Sequence, residues 1–156
     1  MRIRPKSEGD RPWIDSILAS RWGGPLVVVR GAAIDARLLP ALIAGERDGL
    51  ATYREKERHL AELITLDALR PCQGIGTALL NAVAVQMRAR GASVLQVTTT
   101  NDNLDALRFY QRRGFRLVRV RPGAVDEARR LKPTIPVTGA YGIALRDELD
   151  LELDLC

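Results

Sequence analysis

The stretch TTTNDNLDALRFYQRRGF, residues 98–115, contains the end of a strand, a short helix and the start of another strand. The three threonines are β-branched and favour a strand. We expect Asn101 or Asp102 to cap the following helix and Gly114 to end it. Tyr110 falls one turn before the helix end, where a core tyrosine with its hydroxyl at the rim is the ordinary interpretation. The stretch therefore predicts a strand–helix–strand unit of a mixed α/β protein.

A glycine-containing segment precedes this unit. Residues 73–77, Gln-Gly-Ile-Gly-Thr, separate a predicted strand at residues 59–69 from a helix with apolar residues at helical spacing. Glycines at such a junction let the backbone approach a phosphate, and the free amides of the helix N-terminus point at the anion. Leu79 replaces the third glycine of a Rossmann fingerprint, and no Walker lysine is present. The segment alone indicates either a phosphate site or a turn that tightens strand–helix packing.

Together the two segments resemble a known family. The pattern Asn103-x-x-Ala106-x-x-Phe109-Tyr110-x-x-x-Gly114-Phe115 closely resembles the second signature of the GNAT N-acetyltransferase superfamily. Residues 71–80 resemble that superfamily's acetyl-CoA loop, and the order and spacing of the two motifs agree with it. The specific resemblance covers roughly residues 62–115.

The resemblance implies acetyl-CoA as cosubstrate, held mainly by backbone amides. It also implies that an amide of the fourth sheet strand, near Leu66 and Ala68, binds the acetyl carbonyl. The expected cofactor contacts are Leu66, Ala68, Cys72, Gln73, Gly74, Ile75, Gly76, Thr77 and Asn103. Pro71 and Cys72 depart from the superfamily's usual Gln or Arg and Gly, so we expect backbone contacts to dominate here.

Two catalytic residues are expected. In the superfamily a tyrosine at the position of Tyr110 protonates the departing thiolate, so the resemblance assigns this role to Tyr110. Attack by an amine also needs a base, and Glu62 is our candidate because it is a carboxylate in an otherwise apolar strand. Asp67 is the reserve, on the opposite face of that strand if its pairing is regular. An edge or hairpin-facing charge is the alternative interpretation of Glu62.

The fold class expected is α/β, with a GNAT-like, mostly antiparallel twisted sheet of about six to seven strands flanked by helices. The length of 156 residues suits one domain spanning residues 1–156. An Asp-Gly turn within residues 45–49 predicts a hairpin. Alternating leucines and acids at residues 148–155 predict an antiparallel strand with one dry and one wet face.

Composition narrows the function classes. Hydrophobic residues make up 46% and charged residues 28%, and no apolar run suggests a signal peptide or a membrane span, so we expect a cytoplasmic protein. Two cysteines and one histidine give no metal-site spacing, and we expect no metal. The net charge of +5, mostly arginine, favours an anionic partner, but aromatic residues at 4% make a nucleic-acid partner a weak prediction.

Several functional alternatives stay open. The leading hypothesis is an acetyl-CoA-dependent N-acetyltransferase acting on a primary amine of an unidentified acceptor. The alternatives are a catalytically idle CoA-binding regulatory module and a basic RNA-directed acetyltransferase. Arg129, Arg130 and Lys132 would meet an acidic acceptor, and Trp22 and Tyr53 would line its pocket. The acidic final strand would either deter pairing with other chains or match arginines of a second subunit in a homodimer.

Overall fold

The elements alternate between strands and helices along the chain. The structure is a computed structural model, and it describes residues 1–156. The nine strands are β1 (Ile3–Pro5), β2 (Leu26–Val29), β3 (Ala32–Asp35), β4 (Ala41–Ala44), β5 (Gly49–Glu57), β6 (Leu60–Ala68), β7 (Val94–Thr100), β8 (Arg116–Arg121) and β9 (Glu148–Asp154). The four helices are α1 (Arg11–Trp22), α2 (Ile75–Ala89), α3 (Leu104–Arg112) and α4 (Ala124–Leu131). None of them is long and apolar enough to cross a membrane.

Seven strands form one sheet in the order β1-β4-β5-β6-β7-β9-β8. Every neighbouring pair is antiparallel except β6 and β7, which are parallel and are joined by the crossover helix α2. The Asp-Gly turn joins β4 to β5 as predicted. This mostly antiparallel α/β sheet confirms the expected fold class.

Each face of the sheet has its own hydrophobic core. On one face α2 packs Leu79, Leu80 and Val83 against strand residues such as Leu63 and Leu95. On the other face α1 and the separate β2–β3 hairpin cover a second core. That core consists of Ile14, Ile17, Leu18, Val27, Ile34, Ala36, Ala41, Ile43, Leu50 and Ile64. The face covered by α1 and the hairpin is called the α1 face below, and the other the α2 face.

The hairpin was missed at the sequence level because its turn is unusual. Arg30 and Gly31 connect β2 to β3, and both have positive φ, 50° and 76°. A two-residue turn of this kind normally carries Asn-Gly or Asp-Gly, whereas arginine rarely adopts positive φ. Two apolar runs separated by an X-Gly pair were the available signal.

The prediction for β9 was wrong in two respects. The strand is antiparallel, but it lies between β7 and β8 and is not an edge. Its acidic face is also not wet, since Glu148 and Asp150 are 3% and 0% exposed. Arg121 of β8 bonds both carboxylates, at 2.9 Å to Glu148 and 2.5 Å to Asp150. Arginine pairing on a neighbouring strand, which the alternation pattern cannot reveal, permits this burial.

Candidate active site

Strands β6 and β7 separate halfway along their length. Their parallel pairing runs from Leu60 opposite Val94 to Leu63 opposite Val97 and stops there. Both strands continue, β6 to Ala68 and β7 to Thr100. A wedge-shaped gap therefore opens in the centre of the sheet, called the gap below.

A β-bulge in β6 lies where the gap begins. Thr52 of β5 faces Thr65, but Tyr53 faces Leu63, so Ile64 is an extra residue on β6. An extra residue reverses the alternation of side chains beyond it. Ile64 packs in the α1-face core, whereas Leu66 and Ala68 pack against the α2-face core.

The bulge corrects the predicted faces of β6. We expected Glu62 and Asp67 on opposite faces, with Leu66 on the face of Glu62. Asp67 instead pairs with Leu50, whose side chain belongs to the α1-face core. Because directly opposite residues point to the same side, Asp67 lies on the α1 face, as do Glu62 and Ile64. Both carboxylates thus lie on one side of the sheet.

The amides of Leu66 and Ala68 point into the gap. Thr65 donates its amide to the Thr52 hydroxyl on β5 at 3.1 Å, and Leu69 donates to the Asp48 carbonyl at 2.8 Å. Successive amides of a strand point to alternate sides, so those of Leu66 and Ala68 point away from β5. On that side β7 no longer pairs with β6. The gap therefore has two free backbone donors.

The N-terminus of α2 presents a second set of donors. The glycine loop positions Gly74 as the N-cap with φ 72°, and the first helical bond runs from the Ala78 amide to the Gly74 carbonyl at 2.9 Å. The amides of Ile75, Gly76 and Thr77 consequently have no acceptor inside the helix. Gly74 has no side chain to cap them. This end of the helix is suited to bind an anion.

Cys72 and Gln73 precede this turn on the surface. Both are exposed, and Cys72 has a φ of 62°, in the left-handed region that favours glycine. A glycine at this position would adopt the same conformation without strain.

Helix α3 packs close to the α2 N-terminus. Arg113 bridges them, because its guanidinium donates to the Thr77 hydroxyl at 2.8 Å and stacks over the Phe109 ring at 3.7 Å. Asn103 is the N-cap of α3 and accepts from the Ala106 amide at 3.1 Å. The cap is thus Asn103 and neither of its two predecessors.

Asn101 and Asp102 instead hold the connector before β9. Asn101 accepts from the amides of Arg146 and Asp147, both at 2.9 Å. Asp102 accepts from the Ala140 amide at 2.8 Å. Sequence spacing gives no sign of this function, because the partners are about 40 residues away in the chain.

Tyr110 is buried on α3, between Phe109 and Phe115 with ring centroids 5.2 and 5.1 Å away. Its hydroxyl forms no hydrogen bond within the chain. Burial and the nearby charge of Asp67 raise the pKa of Tyr110, so the phenol is protonated at neutral pH.

Glu62 is 1% exposed and is held between two arginines. Arg54 of β5 bonds one carboxylate oxygen at 2.9 Å, and Arg30 of the hairpin turn contacts the other. Arg30 also lies 3.6 Å from Asp150. Both oxygens of Glu62 are therefore engaged, an arrangement that its strand position alone did not predict.

Asp67 is 7% exposed and has only one hydrogen-bond donor, the Trp22 indole at 2.8 Å. Burial raises the pKa of Asp67, which the Trp22 bond and the charge of Arg21 only partly offset. A carboxylate in such a setting becomes a better proton acceptor near neutral pH. Asp67 thus has a free oxygen and the electrostatics of a base.

A cavity of about 370 Å³ lies on the α1 face beside the gap. Its walls come from the end of α1, from β2, from Ile64 and residues 98–100 at the gap, and from α4 with the connector that follows it. Trp22 and Lys132 line it. Tyr53 does not line it, because its side chain lies on the α2 face, where its hydroxyl donates to Gln86 at 2.9 Å. Arg129 bonds Asp126 and three connector carbonyls and so braces the wall.

No group of three or more His, Cys, Asp or Glu side chains is arranged to hold a metal ion.

Comparison with known proteins agrees with the fold. The model of the acetyltransferase (GNAT) family matches residues 8–115. Two Bacillus subtilis (strain 168) proteins, YdhI and YxbD, are each 36% identical, over 96% and 99% of this chain and 95% and 99% of their own. A Bacillus subtilis acetyltransferase solved in complex with CoA aligns with a TM-score of 0.75 and 20% identity, over 99% of both chains.

Proposed function

Because the chain belongs to the GNAT acetyltransferase family, we propose that it transfers an acetyl group from acetyl-CoA to a primary amine, directly and within a ternary complex. The observation that carries this proposal is the gap itself. The Leu66 and Ala68 amides point into it, the first amides of α2 have no acceptor inside the helix, and Tyr110 keeps its proton. A structural relative with CoA bound supports the choice of cosubstrate.

We assign the phosphate groups of the cosubstrate to the loop from Cys72 to Thr77. The free amides of Ile75, Gly76 and Thr77 would bind them, with help from the helix dipole. Asn103 caps α3 beside the gap and contributes to this site by positioning that helix. Acetyl-CoA would supply the thioester, the activated acyl group that an amine can attack.

In the chemical step, the amides of Leu66 and Ala68 would donate to the carbonyl oxygen as it gains negative charge. A carboxylate takes a proton from the acceptor's ammonium, and the free amine forms the new nitrogen–carbon bond. As the carbon–sulfur bond breaks, Tyr110 donates its proton to the sulfur, so that CoA leaves as a thiol. The nitrogen gives up its second proton, which returns through solvent to the tyrosinate, so that a neutral amide forms, and the carboxylate releases its proton to solvent.

Glu62 and Asp67 are both candidates for that carboxylate. Glu62 has both oxygens engaged by Arg54 and Arg30, whereas Asp67 keeps one free and has a raised pKa. The geometry therefore favours Asp67 as the base and gives Glu62 the role of anchoring the hairpin that walls the cavity.

The first test is thermal unfolding with acetyl-CoA, CoA, ATP and NAD at equal concentration. A ligand at about a hundredfold its dissociation constant adds about 2.7 kcal/mol, which raises the midpoint by several degrees. We expect this shift with the two CoA species alone. The proposal fails if saturating acetyl-CoA leaves the midpoint unchanged.

Tyr110→Phe separates an enzyme from an idle CoA-binding module. The hydroxyl has no partner within the chain, so its removal should leave the unfolding midpoint and acetyl-CoA binding near their wild-type values. Thiol release in the presence of an accepted amine should fall by about 10²-fold or more, as expected when a general acid is lost. Unchanged thiol release would remove Tyr110 from the mechanism.

A cytoplasmic enzyme and a homodimer complete the proposal. One of the two edge strands of the sheet is β8, where Leu117, Val118 and Val120 are each about half exposed, at 47%, 48% and 56%. Apolar side chains on an exposed edge favour pairing with another chain. Sedimentation equilibrium distinguishes a dimer from a monomer.

A further inference from the structure

The walls of the cavity are mainly apolar. On one side they include Trp22, Val28 and Ile64, and on the other Val125 and Leu145. At about 370 Å³ the cavity is at the small end of the range for ligand pockets. Its walls meet the gap at Ile64 and residues 98–100, so a molecule inside would reach the proposed site of acetyl transfer.

Glu148 is the one carboxylate in the lining of the cavity, and it is already paired. Glu148 accepts from Arg121 at 2.9 Å and from the Arg30 amide at 3.2 Å. Lys132 donates to the backbone carbonyls of Trp22 and Leu26. Arg21, exposed at the rim, forms no ion pair. The cavity therefore has two cations, Lys132 and Arg21, that no carboxylate neutralises.

This distribution disfavours an acceptor with several ammonium groups. A second ammonium inside the cavity would lose its hydration and find only Glu148, whose charge Arg121 already pairs, which is unfavourable. It would also be repelled by Arg21. An apolar body, in contrast, would bury its surface against the valine and isoleucine side chains.

We propose that the acceptor is a small monoamine with an apolar aliphatic or aromatic body, bound in this cavity with its amino group at the gap. This inference rests on the proposed function and narrows its substrate class. A polyamine or an amine within a peptide is the competing class, and the experiment includes both.

The test measures thiol release from acetyl-CoA with 2-phenylethylamine, isoamylamine, spermidine and a lysine-containing peptide. We expect kcat/KM for the two apolar monoamines to exceed that for spermidine and the peptide by about tenfold or more, the discrimination available from burying apolar groups. A preference for spermidine or the peptide overturns the inference. So does transfer to none of the four while acetyl-CoA still raises the unfolding midpoint. Absence of that midpoint shift instead defeats the proposed function.

A substitution in the cavity wall gives a second readout. Val28→Asp would place a carboxylate in the wall at a half-buried position. We expect kcat/KM to fall about tenfold for 2-phenylethylamine, because its apolar body loses an apolar contact. For spermidine we expect kcat/KM to rise, because its second ammonium gains a carboxylate to pair with. The matched control is Val85→Asp, 68% exposed on α2 and outside the cavity, which should change neither. Equal effects of the two substitutions would overturn the inference, and the acetyl-CoA midpoint shift verifies that each variant is folded.

Discussion

At the residue scale, the environment of each ionisable side chain decides its chemistry. Tyr110 and Asp67 are both buried with raised pKa values, but the phenol is then held protonated and the carboxyl becomes a better base. Glu62 is the same kind of group as Asp67, yet two guanidinium groups occupy it. These surroundings support the acid and base roles that we propose for Tyr110 and Asp67.

Asp67→Asn should therefore reduce kcat/KM more than Glu62→Gln, because only the first substitution removes the proposed base. Burial raises the pKa of Asp67, so wild-type kcat/KM should fall as the pH drops through that raised value, and this acidic limb should disappear in Asp67→Asn. A pH profile for one amine substrate measures it. A limb that persists in Asp67→Asn and disappears in Glu62→Gln would return the base role to Glu62.

For the same substitution we expect no loss of stability, although activity falls. A carboxyl group whose pKa is higher in the folded than in the unfolded protein stabilises the fold at pH values below its unfolded pKa. This contribution is lost as the pH rises through its folded pKa. Asn retains an acceptor for the Trp22 indole without the buried charge. At pH 7 Asp67→Asn should then be at least as stable as wild type in urea unfolding, and a clear loss would show that the charge itself stabilises the fold.

At the element scale, the start of α2 is held by close packing against β5. A side chain on Gly49 would bring a Cβ within 2.5 Å of the Ile75 methyl group and 2.9 Å of the Asp67 carbonyl oxygen. Ile75 is the first residue of α2, and the adjacent amides form the proposed phosphate site. A glycine at the start of β5 thus lets α2 begin close to the sheet, where its first amides form the proposed phosphate site.

Gly49→Ala should accordingly affect both stability and cofactor binding. Overpacking of this kind costs about 1–3 kcal/mol, and the displaced helix start should weaken acetyl-CoA binding. Urea unfolding and acetyl-CoA titration measure the two effects. Gly9→Ala is the control, because a Cβ there meets nothing within 4 Å. Matching results for both variants would contradict this account of α2.

At the scale of the whole molecule, a buried charge network connects the hairpin to the sheet. Arg30 reaches from the hairpin turn to Glu62 of β6 and Asp150 of β9, and Arg121 of β8 bonds Asp150 from the other side. These bonds tie the hairpin wall of the cavity to the strands that border the gap. These bonds also occupy arginines that, from composition alone, we had expected to bind an anionic partner.

Arg30→Ala should destabilise the protein by about 2 kcal/mol, because the buried carboxylates of Glu62 and Asp150 each lose one of their two guanidinium partners. Arg37→Ala, which breaks an exposed pair with Asp35 near the same hairpin, should cost less than about 1 kcal/mol. Urea unfolding of both variants makes the comparison. Equal losses would mean that the buried network adds nothing to the anchoring of the hairpin.

The sequence by itself determined most of the elements and the family. Apolar spacing predicted α2, the Asp-Gly turn predicted the β4–β5 hairpin, and the motif around Tyr110 identified the acetyltransferase family, because these signals lie in residues close together in the chain. Only the tertiary structure decided which groups share a site. One extra residue, Ile64, turned Asp67 to the face of Glu62, and arginines from distant strands buried the acids of β9. Register and ion pairing between distant segments arise when strands align, so no local pattern could have predicted them.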